Sequence, residues 1–211
     1  GDTSDWSAVC NFTPTNAYII TINDGTATNG YVPVYGFYAD AYLKAHYICP
    51  STDLASMGTA ALTQLTFYAT QSSVNWGNAN FNVYLAETTD STISDFADVT
   101  DMTLVYSGSL GISDNMMVVP FTEEYIYMGG NLLVAVENTV QGSYVTSTWN
   151  GVNATGASVQ GYSYSSLDAI TPTQRDFLPK MTIEFIPTTV TCLPVRGLTA
   201  SNVTNHEVTL T

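Results

Sequence analysis

The chain has 211 residues, with 18 Asp plus Glu against 4 Lys plus Arg, so its formal net charge is −14. Four cations cannot neutralise a run of phosphates or dock on an anionic bilayer, which excludes nucleic acid and a polybasic membrane patch. Hydrophobic residues are 45% and aromatics 12%, which argues against disorder, while abundant Thr, Val and aromatics with few Lys and Glu point to an all-β protein.

Residues 1–16 show no hydrophobic period and read as a leader or linker. From residue 17 onward, period-two alternation recurs between turn signals, the pattern of antiparallel strands with one wet face. Tyr31 to Tyr38 reads as a strand whose Tyr31, Tyr35 and Phe37 share one face and belong to the core. His46 falls in another predicted strand. Leu65, Phe67 and Ala69 make one apolar face, Phe81, Val83 and Leu85 a second, and Met181, Ile183 and Phe185 a third. Asn131 to Val136 is apolar on both parities and is expected to be covered on both sides. Ile93, Phe96 and Val99 recur every three residues, so one or two helical turns are expected within Ser91 to Asp101. Asn23-Asp24-Gly25, Asn29-Gly30, Trp76-Gly77-Asn78, Met128-Gly129-Gly130 and Asn150-Gly151 mark turns. Strands and turns at this spacing predict a jelly-roll β-sandwich over 17–187. No run of about eighteen apolar residues occurs, so no membrane span is expected.

After Pro187 the composition changes. Cys192 to Thr204 resembles the first strand of a fibronectin type III module, and Glu207 to Thr211 its second, so 188–211 reads as a linker and the first strands of such a module. Two strands cannot make a core by themselves, which implies further domains of a longer chain. Cys10, Cys49 and Cys192 match no zinc spacing. One disulfide with a free thiol, or three buried thiols, remain open; Cys10 with Cys192 is favoured, because terminal strands of a sandwich often lie together.

Several stretches, in order, resemble a known family. Ile22-Asn23-Asp24-Gly25-Thr26, Tyr31 to Tyr38, Leu62 to Tyr68, Asn82-Val83-Tyr84-Leu85, Val105-Tyr106-Ser107-Gly108-Ser109 and, most specifically, Pro120-Phe121 followed by Gly129 to Val136 are similar to segments of adhesin-like jelly-roll modules of secreted Bacteroidetes proteins. These are related to the cleaved-adhesin domains of gingipain-type haemagglutinins. The resemblance covers about 17–187 and implies a galactose-binding-like jelly roll, an extracellular or bacterial cell-surface location, and no catalytic motif.

The residues themselves bear on three chemistries. A nucleophile needs a positioned base, but His46 and Cys49 stand three apart in an extended run and point to opposite faces. No carboxylate pair stands out, so the chain is not expected to be an enzyme. Calcium needs about six to eight oxygens; Asp24, Asp40 and Asp53 lie in turns that could converge at one end of a sandwich, and calcium is the candidate structural cofactor. A glycan needs exposed rings for its apolar faces; Trp76 and Trp149 sit beside turns, and Tyr162 and Tyr164 alternate onto one face, so these four are the candidate ligand-binding residues. The expected function is a non-catalytic secreted or cell-surface module for adhesion, with a glycan or host surface protein as ligand. The alternative is an accessory or stabilising domain of a secreted peptidase or glycoside hydrolase whose catalytic domain lies elsewhere.

Overall fold

A computed structural model of the chain describes residues 17–188 and, beyond them, two short strands, Ala200–Ser201 and Thr209–Leu210. The chain divides near residue 188 into two units. In the second, the two short strands pair antiparallel, Ala200 opposite Leu210. The expected leader, the Cys10–Cys192 bridge and most of the fibronectin-like segment lie outside the described residues.

The first unit is an antiparallel β-sandwich of jelly-roll type. Its strands, in chain order, are β1 (Tyr18–Ile22), β2 (Ala27–Asn29), β3 (Tyr42–Cys49), β4 (Ala60–Tyr68), β5 (Ser73–Asn75), β6 (Asn80–Thr88), β7 (Thr103–Gly108), β8 (Gly111–Ser113), β9 (Met116–Tyr127), β10 (Asn131–Val140), β11 (Trp149–Ser163), β12 (Thr173–Pro179) and β13 (Met181–Pro187). One sheet runs β1-β13-β4-β9-β8-β5; the other runs β12-β11-β3-β10-β6-β7, with β2 also paired to β11. A four-residue helix, Ser51–Leu54, follows β3.

Strand parity builds the core. Leu43, Ala45, Tyr47 and Cys49 of β3 face inward and pack against the other sheet. The Tyr47 ring meets Phe67 edge-on at 6.5 Å, and its hydroxyl reaches the Met181 sulfur at 3.8 Å. The inward face of β6, with Phe81, Val83 and Leu85, lies where its alternation predicts, as do Met181, Ile183 and Phe185 of β13. Each such side chain contributes about 1.5–3 kcal/mol by leaving water. On β4 a register shift between Leu62 and Gln64 inserts an extra residue. That bulge lets Leu62 and Leu65 both face inward although they differ in parity. Cys49 is a free thiol in this core, pushed by burial up to about 12.

Two local expectations fail for physical reasons, and a third, the helical turn within Ser91 to Asp101, holds only as a single short turn. Residues 91–101 hold only a 3-10 turn, Val99–Asp101, capped by Asp98 accepting the Thr100 N–H at 2.9 Å. Phe96 instead lies against His46 on the outer face of β3, and Ile93 is tied to Gly156. The three-residue spacing therefore marks a cover over the outer face of β3 rather than a longer helix. Residues 31–38 form no strand: Pro33 removes a ladder donor, and the Gly36 and Tyr38 N–H groups close turns onto Gly30 and Tyr35. Asn150-Gly151 lies inside β11 and not in a turn. Gly151 is needed there because a Cβ would run into the Leu178 carbonyl of the neighbouring strand.

Candidate functional site

The loop of residues 30–41 folds back over the ends of β11 and β12 and brings its tyrosines to theirs. Parity sets one wall: Gln160 and Tyr162 are two apart on β11, while Gln160 pairs with Thr173 and Ser158 with Arg175 on β12, so these side chains share a face. The loop supplies the other wall. Tyr38 stacks on Tyr162 with centroids 3.6 Å apart and planes at 9°. Tyr35 lies 5.0 Å from Tyr38, 5.7 Å from Tyr162 and 5.4 Å from Tyr31. Between the walls opens a cleft of about 380 Å³ lined by Tyr35, Gln160, Tyr162, Thr173 and Arg175.

The two ends of the tyrosine row differ in charge. At one end Tyr164, edge-on to Tyr162 at 5.9 Å, donates its hydroxyl to Asp40 at 3.1 Å. At the other, the Arg175 guanidinium sits 3.7 Å over the Tyr31 ring, a cation–π contact. Lys44 pairs with Glu137 and Lys180 with Asp24, whereas Arg175 has no carboxylate partner among the described residues. Among the described residues, two buried polar atoms of the cleft also find no partner: Gln160 Oε1, in a residue only 2% exposed, and Arg175 Nε.

Three of these phenols, Tyr35, Tyr38 and Tyr164, keep their protons. Burial, then the neighbouring Tyr38 and Tyr31, holds Tyr35 above the usual phenol range. A hydrogen bond to Tyr162 does the same for Tyr38. For Tyr164 burial comes first and then Asp40. Each hydroxyl is therefore a donor at any ordinary pH, and each ring offers a flat apolar face.

The four expected ligand-binding residues separate into two groups. Tyr162 and Tyr164 share a face as the alternation requires and are 37% and 55% exposed. Trp76 and Trp149 are both 0% exposed and are removed from the candidate list. Their indoles pack together at 6.4 Å, and each N–H is satisfied internally, Trp76 by the Val145 carbonyl and Trp149 by that of Val34, both at 2.9 Å. A positive φ at Gly77 turns the chain just after Trp76 and lets the ring swing into the core. The expected calcium ligands do not converge. Asp24 pairs with Lys180, Asp40 bonds Tyr164, and Asp53 stands in the short helix after β3. No group of three His, Cys, Asp or Glu able to hold an ion occurs among the described residues. His46 and Cys49 take opposite faces of β3; burial holds the imidazole at about 3, so it is neutral, and the residue is 0% exposed. Ser91 and its neighbours Asp90 and Thr92 lie exposed in the covering loop.

Tyr31 and Tyr35 were expected in the core with Phe37 but are only half-buried and line the tyrosine row, and Tyr38, Gln160 and Arg175 were not expected at a site. Pro33 and Gly36 were the available signal, since both argue against a strand through the tyrosine-rich stretch. A larger depression of about 760 Å³ opens beside β5 and β8, but no aromatic ring lines it. The chain matches no protein-family model and no curated protein in sequence.

Proposed function

We propose that this chain is a non-catalytic saccharide-binding module that works outside the cell, with the tyrosine-walled cleft as its binding site. The observation that carries the reading is the coincidence, in one cleft, of stacked neutral phenols with buried polar atoms that have no internal partner. Sugars present apolar ring faces and a rim of hydroxyls, and both are matched there. The likeness to adhesin-like jelly-roll modules supports a role in surface adhesion. The antiparallel strand pair Ala200–Ser201 and Thr209–Leu210 accords with a fibronectin type III-like neighbour.

Titration calorimetry against a panel of soluble oligosaccharides tests this, using wild type and Tyr162→Ala. Loss of one stacking ring is expected to weaken binding about tenfold, with the fold intact because Tyr162 is exposed. A wild type that binds no saccharide, or a variant that binds equally well, overturns the reading.

A further inference from the structure

We infer that the saccharide taken by this cleft carries a carboxylate, as a uronic acid does, and that Arg175 is the residue that selects it. The inference rests on the saccharide reading and adds the ligand's charge. Of the four basic residues in the chain, Lys44, Arg175 and Lys180 are described. Both lysines are neutralised by carboxylates, at 3.2 Å for Lys44 and in close contact for Lys180. Among the described residues no carboxylate neutralises Arg175, which is held over a tyrosine ring instead. A guanidinium so placed keeps its N–H groups directed sideways, in its own plane. That edge is the geometry that grips a planar carboxylate with two parallel bonds.

The remaining polar groups fit the rest of such a sugar. Gln160 is a buried residue of the same cleft whose Oε1 has no partner, so it can accept from a ring hydroxyl. Thr173 lines the same wall, and Tyr35 and Tyr162 supply the apolar surface. Asp40, the nearest carboxylate of the tyrosine row, bonds Tyr164 at the far end and does not line the cleft. Asp176, the next residue along β12, accepts the Gly156 N–H at 2.7 Å and is occupied there. The net charge of −14 does not forbid an anion at this point. Exposed charges are screened beyond about 8 Å at physiological salt, whereas a guanidinium–carboxylate bond forms at contact.

The test compares oligogalacturonate with its fully methyl-esterified form, which has the same rings and no charge. Wild type is expected to bind the acid at least about tenfold more tightly than the ester, the worth of one charge-assisted hydrogen bond. Arg175→Gln is expected to level the two affinities, Arg175→Lys to keep part of the preference, and Tyr162→Ala to weaken both alike. The comparison of the two ligands on wild type needs no variant, so it survives a failure of Arg175→Gln to fold. Equal binding of acid and ester, or binding of neutral oligosaccharides only, overturns the inference while the saccharide reading stands. An acid preference that persists in a folded Arg175→Gln overturns the assignment to Arg175. Absence of binding to every saccharide overturns both.

Discussion

Lowering the pH from 7 to 5 should destabilise the sandwich through one imidazole. His46 lies on the outer face of β3, 0% exposed, beneath the 91–101 cover. Its Nδ1 accepts the Ala97 N–H at 3.2 Å, so the ring proton sits on Nε2. That atom is 3.9 Å from Glu137 Oε1, too far for a hydrogen bond. Burial lowers the imidazole to about 3, and Lys44 pushes the same way. Glu137 pulls in the other direction, but its charge is shared with Lys44 at 3.2 Å, and desolvation wins. The sign follows from proton counts. Below about 6.5 the unfolded chain protonates this histidine and the folded one does not, so stability is full above that pH and falls steadily toward pH 3. At pH 5 the gap to the unfolded value is about 1.5 units, worth about 2 kcal/mol at ~1.36 kcal/mol each. For a domain of this size that lowers Tm by about 4–8 °C. Urea melts of wild type and His46→Gln at both pH values isolate the effect, because Gln can still accept the Ala97 N–H and does not titrate. Carboxylate protonation and His206 act alike in both proteins. If wild type and variant lose or gain stability in parallel between the two pH values, the buried neutral imidazole is refuted.

The turn between β9 and β10 should depend on a single carboxylate. Glu87 Oε1 accepts the N–H groups of Met128, Gly129 and Gly130 at 2.9, 2.8 and 2.7 Å. Glu87→Ala is expected to cost about 2–3 kcal/mol and Glu87→Gln about 1 kcal/mol in urea denaturation; an alanine variant as stable as wild type would contradict the three-bond geometry. Asp24, Asp40 and Asp53 serve separate partners or none, so a chelator is expected to leave the melting midpoint unchanged, and a reproducible fall would reveal an ion held by other groups.

The sandwich was legible because its strands obey one rule over most of their length. Phe81, Val83 and Leu85 alternate inward with nothing to interrupt them, and Met181, Ile183 and Phe185 do the same. The rule weakens where a residue is added, as between Leu62 and Gln64, because parity then changes within one strand. It fails where tertiary contacts decide. Ile93, Phe96 and Val99 look helical by spacing, but Phe96 lies against His46, fifty residues earlier, and the Ile93 N–H bonds the Gly156 carbonyl. The tryptophans mislead for a related reason. A ring beside a turn reads as exposed, yet only the fold shows that the Val145 and Val34 carbonyls wait inside to accept the indole protons.

The candidate site was half legible, and the missing half explains its chemistry. Tyr162 and Tyr164 were found by alternation on one strand, but a single strand face does not make a cleft. The opposing wall comes from a loop more than a hundred residues earlier, where Tyr35 and Tyr38 meet Tyr162. Arg175 was invisible for a different reason. With 18 acids available to 4 bases, every cation would be expected to find a carboxylate, and an isolated arginine carries no motif. Folding pairs Lys44 and Lys180 and leaves Arg175 over Tyr31. The scarcity that excludes nucleic acid thus works the other way at this one point. A single unneutralised guanidinium cannot hold a polyphosphate, but among neutral phenols it is sufficient to tell one carboxylate from none.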